Sequence, residues 1–263
     1  MLVVKYGGHA LPDQLEMDPV LEAIGDAFVD GDQVVLIHGG GPQIDAALKV
    51  KGLGKERIGG YRVTTPEVFQ VVQSVLCGEV QRSIVNYLIG SEVNAVGLTA
   101  GDGGLVLAKR LLINDSGKSL DIGLVGEVVE VNTEILNDLL KGGYLPVITP
   151  LAVDVEGNGL NVNADLVAGA IGGALKADQV VFLTDVDGIY SDWPNTDSLI
   201  SETNIAELTK LLPTLSEGMI PKVTAVLNAV NSGAKSARIV NGTKLKSVLD
   251  AFSGVGGTVV FAA

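Results

Sequence analysis

Five short apolar, largely β-branched runs constrain this chain more than anything else in it. LVVKY (Leu2 to Tyr6), VVLIH (Val34 to His38), YLPVIT (Tyr144 to Thr149), QVVFLT (Gln179 to Thr184) and ARIV (Ala237 to Val240) are near-continuously apolar. A strand of that kind is buried on both faces, as in a parallel sheet covered on each side by helices. The intervening segments carry the helical period. Leu245, Val248, Leu249 and Phe252 fall at i, i+3, i+4 and i+7, and Ile205, Leu208, Leu211 and Leu212 repeat the stripe. Thr65 followed by Pro66 fits an N-cap and a first helical position, opening a long helix towards Leu88. The class is therefore α/β with a mainly parallel sheet. Gly52 to Thr64 and Leu105 to Asn132 break the alternation with hairpin patterns. These two are expected to lie over an edge of the sheet as lids or subunit contacts, with NDSGKS as an exposed turn.

Length and charge bound what such a sheet can serve. With 263 residues, 47% of them hydrophobic, the chain can bury a substantial core as one large α/β unit or two modest lobes. Asp, Lys or Gly interrupts every apolar run before it could span a bilayer. The start, MLVVKYGGHA, lacks the charged and then apolar regions of a signal peptide, and Cys77 is the only cysteine, so no internal disulfide can form. Both points lead us to expect a cytoplasmic protein. A net charge of −13 argues against nucleic acid and against an acidic protein partner. A small anionic substrate would have to be captured by lysines and arginines placed in glycine-rich loops.

Two familiar nucleotide loops are excluded directly. SGKS (Ser116 to Ser119) ends like a Walker A loop, but Leu112 stands at the first glycine and no helix follows. GGGPQI puts Ile44 where a Rossmann loop needs its last glycine. What remains is a set of loops that each follow a strand. KYGGHA carries Lys5, Gly7 and Gly8. Its ordinary reading is a snorkelling strand-end lysine and a turn. HGGGPQ carries three consecutive glycines ahead of a helix from Pro42, more bare backbone than a turn requires. Free helix N–H groups there would face an approaching anion. In GLNVNADLVAGAIGGAL, Asp165 has a strong ordinary reading as a helix N-cap, yet Asn161 and Asn163 at alternate positions exceed what a cap needs. LTDVDGIY places Asp185 and Asp187 after a strand without calcium-loop spacing. In SEGMIPKVTAVLNAV, Lys222 sits near the positive end of a helix, a conflict that an anion would resolve. Arg62 in GGYRVT reads as the most exposed candidate. His9 and His38 read as loop and strand-end residues, Cys77 as packing, and Trp193 as a pocket cover or loop anchor.

VVKYGG, HGGGPQID, GYRVT, DIGLVGEV, NVNAD, LTDVDGIY and GMIPKV, in that order and approximate spacing, resemble the acetylglutamate kinases of the amino-acid kinase family over essentially the whole chain. The combination is specific although no single piece is. The resemblance implies an open three-layer α/β/α sandwich, with lobes near 1–176 for the amino acid and dimerisation and 177–263 for the nucleotide. It implies ATP-dependent phosphorylation of the γ-carboxylate of N-acetyl-L-glutamate, a step of arginine biosynthesis. Lys5 and Lys222 resemble the two lysines that stabilise the phosphoryl group in flight, and Asp165 the carboxylate that orients them. Gly40, Gly41, Arg62, Asn161 and Asn163 fall at substrate-binding positions. Asp185, Val186, Asp187, Gly188, Ile189 and Tyr190, with Thr214, Leu215 and Ser216, match the nucleotide loops, and Gly7 and Gly8 match glycines that approach the phosphates. Magnesium would enter with ATP, held mainly by phosphates and water, so no all-protein metal site is expected.

Gln81 stands where the pattern has asparagine and Ala100 where it has glycine, both outside the residues matched to the transfer itself. Strand one begins at Leu2, without the extra N-terminal helix of arginine-inhibited hexameric relatives, and this predicts an arginine-insensitive homodimer. The nearest rival is a kinase for carrier-protein-linked aminoadipate or glutamate, whose acidic carrier would need a basic surface. Aspartate and glutamate 5-kinases fit less well, for want of a regulatory domain and of their loop patterns. A non-catalytic sensor on the same fold is the remaining alternative, and Lys5, Asp165 and Lys222 together argue against it.

Overall fold

The computed structural model describes residues 1–7, 18–115, 118–215 and 219–262. The expected NDSGKS turn is therefore only partly described, because Ser116 and Gly117 lie outside those residues, as does His9.

Strands β1 (Leu2–Tyr6) and β2 (Val34–His38) are buried along their whole length, and α1 (Pro19–Val29) joins the first layer to them. The Asp18 side chain caps α1 by accepting the N–H groups of Val20 and Leu21 at 3.0 and 3.4 Å, and its other oxygen takes the Tyr6 hydroxyl at 2.8 Å. After α2 (Gly41–Val50) comes a two-residue hairpin, β3 (Arg57–Ile58) and β4 (Tyr61–Arg62). The long helix predicted from Thr65 is present as α3 (Pro66–Gln73), a π-helical segment Ser74–Val80 and α4 (Gln81–Gly90). Thr65 caps it, its hydroxyl oxygen accepting the Val68 N–H at 3.3 Å. The middle of the chain forms β5 (Ala95–Thr99), β6 (Val106–Asp115), β7 (Lys118–Val131), α5 (Glu134–Lys141), β8 (Leu145–Thr149), β9 (Leu151–Val153), β10 (Gly159–Val162) and α6 (Ala164–Ala174). The remainder comprises β11 (Gln179–Thr184), β12 (Ile189–Tyr190), β13 (Leu199–Ile200), β14 (Glu202–Asn204), α7 (Ile205–Leu211), α8 (Ile220–Asn231), β15 (Ser236–Asn241), α9 (Leu245–Phe252) and β16 (Thr258–Phe261).

One eight-stranded sheet runs β14-β16-β15-β11-β1-β2-β8-β5. It is parallel from β15 to β5, and β16 pairs antiparallel with β15 at the other end. The near-continuous apolar strands thus have the two helical layers that their pattern demands. Leu2, Val4 and Tyr6 face one core with Leu21, Ile84 and Val248, while Val3 faces the other with Val167, Val226 and Leu136. By the alternation of a strand, Lys5 shares the face of Val3. It therefore points towards the layer that holds α6 and α8.

The Leu105 to Asn132 segment forms the expected hairpin, and β6 and β7 close with β9 and β10 into a small four-stranded sheet of their own. Leu105, Val106 and Ala108 join Leu160 and Val162 in the second core, so the apolar half of the hairpin pattern is satisfied internally. Gln81 also has a clear role. Its side-chain amide donates to Leu98 O at 2.7 Å and Val147 O at 3.0 Å, tying the helix to β5 and β8.

Strand order places the working end of the sheet. From β1 the chain moves to β2 on one side, whereas from β11 it moves to β15 on the other. Adjacent parallel strands whose connections diverge leave a crevice beyond their carboxyl ends, the usual ligand position in open α/β sheets. Lys5 to Gly7, His38 to Gly41 and Thr184 to Asp185 all emerge there.

Candidate active site

Asp165 is the centre of the crevice. It lies in the first turn of α6, where a carboxylate is the expected N-cap, but Asn163 takes that role. The Asn163 side-chain oxygen accepts the N–H groups of Asp165 and Leu166 at 2.8 and 3.3 Å. The Asp165 carboxylate is thereby free to point inward. One oxygen meets Lys5 Nζ at 2.9 Å and the other meets Lys222 Nζ at 3.3 Å. Lys5 and Asp165 are almost wholly buried, with side-chain exposures of 6% and 7%, while Lys222 keeps 22%. Burial alone would raise the Asp165 pKa, but the Lys5 and Lys222 ammonium groups outweigh it and hold the carboxyl below its ordinary value. Burial is the main influence on Lys5 and lowers its pKa. The Asp165 charge opposes that shift and the Lys222 charge adds to it.

Two cavities meet at this triad. The first, of about 190 Å³, is lined by Lys5, Gly39, Gly40, Gly41, Arg62, Asn161, Asn163 and Asp165, with Tyr61, Leu76 and Pro150 among its walls. The second, of about 650 Å³, is lined by Asp185, Val186, Gly188, Ile189, Tyr190, Thr214, Leu215 and Lys222, with Trp193 and Met219. Lys5 opens into one and Lys222 into the other, and the same carboxylate holds both. Gly40, Gly41, Arg62, Asn161 and Asn163 thus line one chamber, and Asp185, Val186, Gly188, Ile189, Tyr190, Thr214 and Leu215 the other, while Gly7 and Asp187 line neither.

Arg62 corrects its sequence reading, for it is not exposed but 9% accessible. Its guanidinium pairs with Asp45 at 2.6 Å and contacts Gly41 O at 3.5 Å. Asp45 also receives Arg57 at 3.0 Å, and the two arginines outweigh partial burial to keep its carboxyl low. Burial lowers the Arg62 pKa against the pull of Asp45. The signal missed in the sequence was Asp45, one turn into α2, which draws Arg62 down onto the glycine loop. Asn161 donates to the Thr64 hydroxyl at 3.2 Å, and Thr64 donates to Arg62 O at 2.8 Å, so β10 and β4 are fixed to one another beside the cavity.

The glycines divide by role. A Cβ on Gly7 would lie 2.6 Å from Gly39 N, so Gly7 exists to let the ends of β1 and β2 approach. A Cβ on Gly40 would lie 2.6 Å from a Leu76 methyl, whereas one on Gly41 would meet no protein atom within 4 Å. Gly8 lies outside the described residues, as does Ser216. Asp187 is described but does not line the second cavity. Its carboxylate accepts from Asn241 at 2.9 Å and pairs with Lys244 at 2.7 Å, which anchors the loop after β11 to the region after β15. Gly188 is required there by Thr258, whose hydroxyl oxygen would lie 2.5 Å from an added Cβ. Trp193 lines the cavity, and its ring centroid stands 5.2 Å from that of Tyr190.

The second cavity suits a nucleotide: it is roomy, has an aromatic rim, and carries a lysine where phosphates would meet the triad. Among the described residues no group of three or more His, Cys, Asp or Glu could hold a metal ion. No helix among the described residues is long and apolar enough to cross a membrane.

Comparison with known proteins gives a consistent outcome. The model of the amino acid kinase family matches residues 1–241. An acetylglutamate kinase of Mycobacterium sp. (strain JLS) is 44% identical over 246 residues, covering 92% of this chain and 83% of that protein. An acetylglutamate kinase of Saccharopolyspora erythraea is 42% identical over 264 residues, covering 100% of this chain and 87% of that protein. A solved structure of N-acetylglutamate synthase from Neisseria gonorrhoeae, in complex with coenzyme A and N-acetyl-glutamate, superposes with a TM-score of 0.84 at 24% identity. That superposition covers 100% of this chain and 59% of that one. At that identity the likeness speaks for the fold.

Proposed function

Because this chain belongs to the amino acid kinase family, we propose that it phosphorylates the γ-carboxylate of N-acetyl-L-glutamate with ATP. The products are N-acetyl-L-glutamyl 5-phosphate and ADP, in arginine biosynthesis. The observation that carries the reading is a pair of chambers whose lysines, Lys5 in one and Lys222 in the other, are held by the same Asp165 carboxylate; one is walled by Gly40, Gly41, Arg62 and Asn161, the other by Asp185, Val186, Gly188, Ile189, Tyr190 and Leu215. Their walls match the acceptor and nucleotide residues separately, and full-length relatives at 42% and 44% identity carry the same activity in their names.

The chemistry asks little covalent help from the protein. A γ-carboxylate, with a reference pKa of about 4.3, is already ionised at neutral pH, so no general base is needed. One of its oxygens attacks the γ-phosphorus, the bond to the β,γ-bridging oxygen breaks, and ADP leaves with that electron pair. No proton moves. The difficulty is bringing one anion against another, and positioning with charge neutralisation is what lowers that barrier. Lys5 would reach the transferring group from the acceptor side and Lys222 from the nucleotide side. Asp165 would keep the two ammonium groups apart and aimed. Arg62, held by Asp45, and Asn161 would bind the acceptor, and the Gly40 and Gly41 backbone would approach its reacting end. Leu215, Met219 and the Tyr190–Trp193 pair would enclose the nucleotide, while Asp187 would stabilise its loop. Mg2+ bound with ATP would supply further neutralisation at the phosphates.

The lobes 1–176 and 177–263 describe this division of labour, although the central sheet runs through both. We take the working form to be a homodimer joined through the N-terminal lobe and located in the cytoplasm, where ATP is available. Sedimentation at micromolar concentration should give twice the mass of the chain.

The function itself is tested by ADP release that depends on N-acetylglutamate, followed by hydroxylamine trapping of the acyl phosphate. A hydroxamate that requires both substrates supports the reading. None above background, at high protein concentration, removes it in favour of a sensor.

A further inference from the structure

His38 is fully buried at the end of β2, immediately before the three glycines, and the transfer chemistry leaves it unused. Its ring is held at both nitrogens. Nδ1 lies 2.8 Å from Gly39 O, and Nε2 lies 2.8 Å from the Thr149 hydroxyl oxygen. A carbonyl oxygen can only accept, so Nδ1 carries the proton and Nε2 accepts from Thr149. Burial holds the His38 pKa down to about 4, against the opposing effect of the Gly39 hydrogen bond, so the ring is neutral in ordinary buffers. Thr149 is the last residue of β8 and meets the Cys77 thiol of the π-helical segment.

The consequence falls on the next peptide. In a trans peptide the C=O of one residue and the N–H of the following residue point in opposite directions. Pinning Gly39 O against the imidazole therefore turns the Gly40 N–H away from His38. That N–H donates to no group among the described residues, and Gly40 lines the acceptor cavity beside Lys5. Glycine has no side chain to hold this peptide plane, and the loop has no side-chain cap at the start of α2.

We propose that His38, oriented by Thr149, is a positioning residue for the phosphoryl transfer: its Nδ1–H locks the Gly39–Gly40 peptide so that the Gly40 N–H faces the reacting oxygens. The proposal rests on the kinase reading above, but its first test does not use activity. Nitrogen-15 spectra of the imidazole, assigned by difference from the His38→Asn protein, should show the Nδ1–H neutral tautomer without substrate. The Nε2–H tautomer would overturn the proposal, since Gly39 O would then have no donor.

The second test separates the Gly39 bond from packing. Asn places an amide N–H near Nδ1, Gln places one near Nε2, and Phe fills the volume with neither. In the hydroxamate assay, His38→Gln and His38→Phe should lower kcat by about tenfold to a hundredfold, in line with the loss of one aimed donor. KM for both substrates should move less than threefold, and His38→Asn should recover most of the turnover. Equal losses in all three, or wild-type turnover in His38→Phe, would leave His38 a packing residue. Should His38→Phe fail to fold by its melting curve, Thr149→Val is the substitute. It keeps the volume and removes the hydroxyl that fixes the ring, and a kcat loss smaller than that of His38→Gln is expected, with no loss counting against the proposal. A wild-type protein that makes no hydroxamate would sink the kinase reading and leave the tautomer result standing by itself.

Discussion

The side chain of Asn163 caps the helix that carries Asp165, accepting the Asp165 N–H at 2.8 Å. This one bond separates two duties that a single aspartate could not perform together. A carboxylate acting as N-cap would turn back onto the backbone, whereas Asp165 reaches forward to two lysines. Replacing Asn163 with Ala removes the cap, and the loss should be about 1 kcal/mol of folding stability. Urea denaturation measures that part. Turnover should fall by more than the stability change accounts for, because the start of α6 frays at Asp165. Asn163→Ser, which can still cap, should restore most of the stability. A protein equally stable without any capping side chain would show that the helix start is held by other contacts.

Asp165→Asn tests the charge itself. It leaves Lys5 and Lys222 facing one another without a counter-charge, and a buried Lys5 then favours its neutral form still more. We expect kcat to drop by at least a hundredfold while ATP binding changes little. The stability profile has a definite sign. The folded pKa of Asp165 lies below its unfolded value of about 3.9. Its contribution is therefore complete above that value and is lost as pH falls through the folded pKa. Wild type and Asp165→Asn should differ most at neutral pH and converge on the acid side, below about pH 4. A difference that grows with acid would contradict the assignment.

Lys222 sits in the first turn of α8, where a cation opposes the helix dipole. Asp165 offsets that conflict in the structure, and transferring phosphate would offset it further during reaction. Lys222→Ala should consequently lower turnover far more than it raises either KM, with a slight gain or no loss in thermal stability. Steady-state kinetics alongside a melting curve decides the point. An unchanged kcat would remove this lysine from the mechanism.

The sheet, the Thr65 cap and the loop positions were legible in the sequence because each rests on a local pattern. Thr65–Pro66 announces its helix, and VVLIH can only be a buried strand. Lys5, Asp165 and Lys222 were legible too, as residues that sat uneasily in their local settings. Three features were not. Arg62 was read as exposed because its partner Asp45 stands on α2, before the hairpin, and no spacing rule links them. The closure of β6 and β7 with β9 and β10 was not foreseen, because those partners lie far along the chain. Asn163 displaced Asp165 as the cap because two good capping residues stand two positions apart, and only the lysines decide between them. In each case a long-range charge or packing partner overrode a sound local rule.

Arg62 is the clearest candidate for binding without chemistry. Its guanidinium is planar, buried and locked by Asp45, so lysine at the same place would lose the fork that meets both the carboxylate and Gly41 O. Arg62→Lys should raise KM for N-acetylglutamate by about tenfold or more and alter kcat by much less. KM for ATP, on the far side of the triad, should stay near wild type. A change confined to ATP would place Arg62 on the wrong chamber.

Three glycine-to-alanine substitutions should separate folding from binding. At Gly7 the added methyl would press on the backbone of Gly39 at 2.6 Å, and neither strand end can retreat without breaking the sheet. At Gly40 it would meet Leu76 at 2.6 Å, a flexible side chain that can yield at some cost. At Gly41 it would meet no protein atom within 4 Å, yet this residue lines the acceptor cavity. The melting temperature should therefore fall most for Gly7→Ala, moderately for Gly40→Ala and hardly at all for Gly41→Ala. Activity should follow a different order, because Gly41→Ala places its methyl in space kept open for substrate. We expect Gly41→Ala to be a well-folded protein whose KM for N-acetylglutamate rises at least tenfold. Differential scanning calorimetry with substrate titrations reads both quantities on the same samples. A stable Gly41→Ala enzyme with wild-type KM would mean that the acceptor does not approach this loop, and the assignment of the smaller cavity would have to move.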